Sequence, residues 1–450
     1  MKSHLYLGTV QSTVPVKVFC QAFYKKFAGV WGWSPQGLLI LFFILLLTGC
    51  TAIRSPFVAA EPEPTGRFVD TPEEAITVEA VADTTGPVPF AVLYASDDIA
   101  WAMYEPATGA YVGAWLRPDM NKPDFERMIE ERHAVFVLEM TLDDEFPTMW
   151  ILQSIASQAV PLIVLRLPGD PDDDFPLMEL AMFAYELGKF NLPAFIVFNP
   201  HTPGSSLCPA DYVLLFRYAR IIFRTYAPMA AFVWHGYDNM TTPDSPFYPG
   251  HDAVDWVSLK LLAPQNAEGF TNDIPEYLTP FYLSFQQYKP IILLPIGISH
   301  FSRRDYVYRV PEAAVELTRV YEALRGGFPR VRLVVYRDHG STTPQGDDFS
   351  LTREERLINA YRYIIADCHF IHRLEAGSTE GPIWMRSALH GYYHEGQVFI
   401  DREILTDRGH RPIPTATTEI NGRIFVDIEA VRGLEIEADH AIRVIKINAE

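Results

Sequence analysis

From Phe90 onward, short apolar runs recur along the chain at regular intervals. They cover Phe90–Ala95, His133–Met140, Val160–Pro168, Leu192–Pro200, Ala230–Tyr237, Asp255–Pro264, Lys289–Gly297 and Val331–His339. The runs are rich in Val, Ile and Leu and nearly continuous, the pattern of parallel strands buried on both faces. Between them, residues 175–190, 209–227, 275–288 and 311–325 carry apolar side chains at three- and four-residue spacing, as helices with one buried stripe do. Residues 350–367 add a further helical stretch, opened by a Ser/Thr cap and glutamates in its first turn. Eight strands alternating with helices predict an α/β fold, a (β/α)8 TIM barrel over residues 90–372. A doubly wound open sheet is the alternative. No GxGxxG follows the first run, which removes the main support for a dinucleotide-binding fold.

The pattern changes on both flanks. Residues 373–450 hold short alternating pieces, 398–405, 419–431, 434–439 and 441–447, which predict a small β-rich module with Asn421-Gly422 as a hairpin turn. Residues 51–89 are rich in Pro, Glu and Thr and poor in large apolar residues, as a flexible tether is. Ahead of them, Lys25 and Lys26 precede the uncharged run Leu38–Leu47. That run is shorter than the roughly twenty residues needed to span a bilayer, so residues 1–50 are read as a signal peptide. The run ends in Leu47-Thr48-Gly49-Cys50, which resembles a lipobox and makes Cys50 the lipidation site. An ordinary signal or an uncleaved anchor is the alternative. The lipobox reading implies an extracytoplasmic protein held to the cell membrane by a lipid anchor.

Charge narrows the partners. The chain carries 37 Lys+Arg against 56 Asp+Glu, a formal net charge of −19. Nucleic acid is excluded as a partner, because phosphate binding needs a basic footprint. A glycan or another envelope component is not. Cys208 and Cys368 are too far apart in sequence for a CxxC motif, which leaves a disulfide or two buried thiols.

Three consecutive stretches, 215–239, Phe247–Leu259 (FYPGHDAVDWVSL) and Lys289–His300 (KPIILLPIGISH), resemble blocks of glycoside hydrolase family 26, which contains β-mannanases and related retaining endo-glycanases. The resemblance extends over roughly residues 90–372. It implies two glutamates, an acid/base after the fourth barrel strand and a nucleophile at the end of the seventh. Retaining hydrolysis needs such carboxylates about 5–5.5 Å apart. At those positions this sequence has His201 and Pro295, with no Asp or Glu from Leu187 to Ala210 or from Tyr277 to Arg304. Proline offers no nucleophile, and histidine cannot form the glycosyl ester. Within residues 392–447 the tail resembles, more weakly, the stalk-like module named for the copper amine oxidase N-terminus, with Asp427 where a Pro is usual. That likeness implies spacing or attachment and no copper.

Other groups fall at predicted strand ends: Glu139, Asp143, Asp144, Arg166, Asp170, His235, Asp238, Lys260, His300, Arg337, Asp338 and His339. Glu139, Asp238 and Asp338 are the fallback carboxylates for an active hydrolase. Ordinary polar rim residues are the plainer reading. His201, His235, His300 and His339 lack short ligand spacing, so no metal or cofactor is expected. Trp115, Trp234 and Tyr237, with His201 and His300, are the candidate glycan contacts, since flat rings stack on sugar faces. The sequence thus predicts a barrel that binds a glycan or envelope partner without cleaving it. An active hydrolase and a purely structural protein are the alternatives.

Overall fold

The computed structural model describes residues 67–68, 86–166, 175–199, 207–236, 242–302, 305–340, 346–374, 381–407 and 417–448. Cys50, His201, Tyr237, Asp238 and the apolar run Leu38–Leu47 lie outside the described residues. Of the expected tether, the backbone of 67–68 is described, in a two-residue parallel pairing with Val307–Tyr308. No described helix is long and apolar enough to cross a membrane.

The described elements begin with β1 (Val88–Ser96). Eight strands then form the barrel: β2 (Ala110–Leu116), β3 (Val135–Thr141), β4 (Val160–Arg166), β5 (Ala194–Asn199), β6 (Ala230–Gly236), β7 (Trp256–Ala263), β8 (Ile291–Ile298) and β9 (Val331–Asp338). Each pairs in parallel with the next, and β9 pairs with β2 from Leu333↔Tyr111 to Asp338↔Leu116, which closes the ring. The closure excludes the open-sheet alternative. Around it lie α1 (Lys122–Ile129), α2 (Thr148–Ala156), α3 (Leu177–Gly188), α4 (Pro209–Tyr226), α5 (Ile274–Phe285), α6 (Val310–Gly327) and α7 (Glu355–Ile365). Local chemistry sets several starts. The Asn121 side chain accepts from Asp124 N and that of Asp273 from Glu276 N, each with a proline in the first turn. The expected cap at Ser350 is not one: α7 begins at Glu355 without a side-chain cap.

The barrel has two cores. Val135, Val137, Leu162, Val164, Phe195, Val233, Trp256, Ile292, Leu333 and Val335 fill its interior. The alternate residues of the same strands pack outward on the helices. The conspicuous 247–259 stretch is scaffold in this arrangement. Gly250 takes φ +97°, and Arg217 of α4 pairs with Asp252 and donates to the Pro249 carbonyl. Arg220 pairs with Asp255 at 2.7 Å, and Asp255 also accepts from Phe232 N at 2.7 Å.

One expected barrel strand is replaced. Residues 88–96 belong to a second sheet, and 110–116 take the first position in the barrel. The second sheet is built from β1 with β10 (Ile383–His394), β11 (Gln397–Asp401), β12 (Thr417–Ile420), β13 (Arg423–Asp427), β14 (Ile436–Asp439) and β15 (Val444–Ile447). Its spatial order is β12-β13-β11-β10-β1-β15-β14, with β1 parallel to β15 and antiparallel to β10. The module therefore takes a strand from before the barrel as well as the C-terminal region. Residues 402–405, expected as strand, fall in a short helix, α8 (Arg402–Asp407). Asn421 and Gly422 both have positive φ at the β12–β13 turn, as the Asn-Gly hairpin signal requires. Phe90, Val92, Val398, Ile400, Leu405, Val426, Ile445 and Ile447 give this sheet its own core.

The module is fixed to the N-terminal end of the barrel. The Gln286 side chain exchanges two 2.7 Å hydrogen bonds with the backbone of Arg386. The Arg386 guanidinium lies 4.6 Å from the Phe328 ring. A Cβ at Gly326 would come within 2.8 Å of the Ile442 carbonyl, so α6 ends hard against the module. From β1 the chain runs directly into the loop that closes the barrel floor. There Tyr104 donates to Met229 O (2.8 Å), and Trp256 Nε1 to Met103 O (2.7 Å). The Glu105 carboxylate accepts from Arg330 Nε (3.0 Å), Arg330 Nη2 (3.2 Å) and Ala102 N (3.0 Å), with Arg332 Nε at 3.8 Å. Glu105 and Arg330 have no side-chain exposure.

Candidate functional site

Barrel ligands bind where the strands end, so the C-terminal mouth is the place to build a site. Strand alternation decides what faces it. Toward the mouth, the inward positions are Trp115 on β2, Glu139 and Thr141 on β3, Arg166 on β4, His235 on β6, Lys260 and Leu262 on β7, Gly297 on β8 and Arg337 on β9. Glu139 and Arg166 form an ion pair across neighbouring strands, with side chains 30% and 44% exposed. Arg337 lies within the field of Glu139. It donates to His339 Nδ1 and the His339 carbonyl, each at 3.3 Å, and sits 5.5 Å from the Phe349 ring. Trp115 meets the His339 ring edge-on, centroids 5.9 Å apart. His235 shares a 2.8 Å hydrogen bond with Ser258. Burial, reinforced by nearby Lys260, lowers the His235 pKa to about 4, so its ring is neutral at ordinary pH. Lys260 is exposed.

The remaining predicted residues are elsewhere. Trp234 is a correction: it faces neither the mouth nor the barrel interior but outward, packed between the strands and the helices against Tyr248 and Phe285, with no exposure. His300 is likewise fully enclosed, its Nε2 3.9 Å from Asp348 Oδ2, and presents no surface to a ligand. Burial depresses its pKa, against the Asp348 charge. Pro295 is buried within β8 where the register shifts.

Asp338, a fallback carboxylate, also points outward. It is fully buried and accepts from Leu351 N (2.7 Å), Thr352 N (3.0 Å) and Thr352 Oγ1 (2.8 Å). Burial raises its pKa in spite of these donors. Its carboxylate anchors the loop before α7 and does not reach the mouth. Asp348 supports the same loop, accepting from Ser350 N (2.9 Å) and Ser350 Oγ (2.6 Å). Asp144 accepts from Thr141 N at the turn after β3.

Cys208 and Cys368 are both free and exposed, so neither a disulfide nor a pair of buried thiols is present. Among the described residues, no group of three His, Cys, Asp or Glu side chains is placed to hold a metal.

Among the described strand residues that face the mouth, the structure thus brings together one carboxylate, three cations, a neutral imidazole and one indole. Glycoside hydrolysis uses a pair of carboxylates; among the described strand residues that face the mouth, Glu139 is tied to an arginine and meets no second carboxylate. Sequence reasoning named each of these side chains but could not assign which strand face each occupies.

No protein-family model matches the chain, and no curated protein does. Solved structures do. The chain is similar to a family 26 β-mannanase from Bacteroides ovatus at 10% identity and TM-score 0.44, covering 61% of this chain and 95% of that one. It is similar to a modular endo-β-1,4-mannanase from Cellulomonas fimi at 11% identity and TM-score 0.46, covering 74% and 93%. It is also similar to the cellulose synthase subunit Z of Clostridioides difficile at 11% identity and TM-score 0.37, covering 56% and 99%. The likenesses are distant and concern glycosidase-type barrels. The assignment of the barrel itself rests on the closed strand pairing described above.

Proposed function

We propose that this protein is a lipid-anchored envelope protein whose barrel binds a glycan at its C-terminal mouth and does not cleave it. The observation that carries the reading is the single strand carboxylate at that mouth, Glu139, held in an ion pair by Arg166. Trp115 supplies an apolar ring at the same mouth, edge-on to His339. The β-rich module, fixed at the opposite end, serves for spacing or attachment. Hydrolysis would need a partner carboxylate for Glu139. Asp238 is the strand-end candidate outside the described residues, and for that reason it enters the test.

The full chain, purified in detergent, is to be mixed with mannan, mixed-linkage glucan and peptidoglycan glycan strands. The expected result is retention on at least one polymer without release of reducing ends, weakened by Trp115→Ala. Turnover that disappears in Glu139→Gln or Asp238→Asn overturns the non-catalytic reading. Failure to bind any glycan leaves a structural role. Labelled fatty acid incorporated in cells, and lost in Cys50→Ala, tests the anchor.

A further inference from the structure

The charge at the mouth specifies the ligand more closely than the fold does. Lys260, on the inner face of β7, is an exposed ammonium, and among the described residues it meets no carboxylate and makes no hydrogen bond. Two strands around, Arg337 is half-buried, steadied by the His339 carbonyl and by the Phe349 ring. On β8, Gly297 is in register with Leu262, and a Cβ there would come within 2.9 Å of Leu262 Cδ2 and 3.0 Å of the Phe349 ring. Glu139 is the one acidic strand side chain in the mouth, and Arg166 already holds it. Among the described strand side chains that face the mouth, cations outnumber carboxylates three to one, while exposed Asp143, Asp144 and Glu145 follow β3. A local excess of cations in a cleft with low-dielectric walls attracts and orients an anion.

A neutral sugar docking in this mouth would strip water from Lys260 and give nothing of opposite charge in return. An anionic group replaces that water with charge-assisted hydrogen bonds. Trp115, in register with Arg337 across the β9–β2 closure, offers an apolar surface to the adjoining pyranose ring.

We propose that the mouth recognises an acidic saccharide, with a carboxylate or sulfate group seated between Lys260 and Arg337. The proposal rests on the reading that the mouth binds a glycan. It is tested by titration calorimetry on the full chain in detergent with hexagalacturonate, a sulfated hexasaccharide and mannohexaose. An acidic probe is expected to bind at least about tenfold more tightly than mannohexaose, and more weakly as salt rises. Lys260→Glu is expected to remove about tenfold or more of that affinity, a larger loss than for mannohexaose, with the thermal midpoint unchanged. Preference for the uronate or for the sulfated probe identifies the anionic group. Mannohexaose bound as tightly as either acidic probe, or a Lys260→Glu protein with undiminished acidic affinity, overturns the proposal and leaves glycan binding standing. If none of the three binds, the proposal fails, and the glycan-binding reading fails with it when mannan, mixed-linkage glucan and peptidoglycan are not retained either. Cleavage of a bound probe during the titration, seen by chromatography, overturns the non-catalytic reading alone.

Discussion

Two Glu–Arg pairs stand at opposite ends of the same barrel. At the N-terminal end, Glu105 and Arg330 have no exposed side-chain surface, and every oxygen of the carboxylate has a donor. At the C-terminal end, Glu139 and Arg166 are 30% and 44% exposed. The first pair is part of a dry plug, made by the loop from β1 and backed by the β-rich module. The second lies in a wet mouth that also holds Lys260, which meets no carboxylate among the described residues. Identical chemistry therefore has two meanings. Buried and saturated, the pair fixes the loop and the module to the barrel. Exposed, it contributes little to stability and leaves charge available to a ligand.

The contrast is broken most forcefully at the sealed end. Glu105→Ala leaves Arg330 buried without its partner and is expected to cost about 3–5 kcal/mol in chemical denaturation. Glycan affinity of the folded fraction should not change. Trp234→Ala opens a cavity between strands and helices and is expected to cost a similar amount, about 3–5 kcal/mol. Loss of glycan binding by a Trp234→Ala protein of undiminished stability would place that ring at the mouth after all.

Acid comes next. Burial lowers His133 to about 3 and His369 to about 4, and His339 sits at about 4 for the same reason with Arg337 adding to it. Their unfolded values lie near 6.5. As pH falls below about 6.5 the unfolded chain binds more protons than the folded one, so stability is lost progressively toward pH 4. His133 alone accounts for about 3 kcal/mol over that interval. Unfolding midpoints measured from pH 7.5 to 4 check this, and His133→Gln should flatten the profile.

Smaller still is Asp338→Asn, which weakens the three bonds that hold the loop before α7 and should cost about 1–3 kcal/mol. A structural Asp338 requires that glycan affinity survive this change. At the open end, Lys260→Ala is expected to alter stability by no more than about 0.5 kcal/mol, seen in the same denaturation series.

Much of this architecture is legible in the sequence. Seven barrel strands announce themselves because strands buried on both faces must be apolar throughout. The eighth, Ala110–Leu116, is weak in sequence for a packing reason. At Gly113 a Cβ would meet Val335 Cγ2 at 3.0 Å and the Val135 carbonyl at 3.2 Å, so the tight seam selects small residues and thins the hydrophobic signal. Residues 88–96 read as a barrel strand because they are central and parallel to a neighbour, only in the other sheet. The candidate site was less legible. When both faces of a strand are buried, composition does not say which residues point inward, and that parity separates Trp115 from Trp234 and Arg337 from Asp338. Glu105 gave no signal at all. Its partner Arg330 is more than two hundred residues away and meets it only once the barrel closes.

The most direct test of a mouth that binds but does not cut is reducing-end release over prolonged incubation, with the full chain at high concentration on the polymer it retains best. The expected result is a rate indistinguishable from that of the Glu139→Gln/Asp238→Asn double variant. Sustained release by the unaltered protein, lost in that variant, would contradict it.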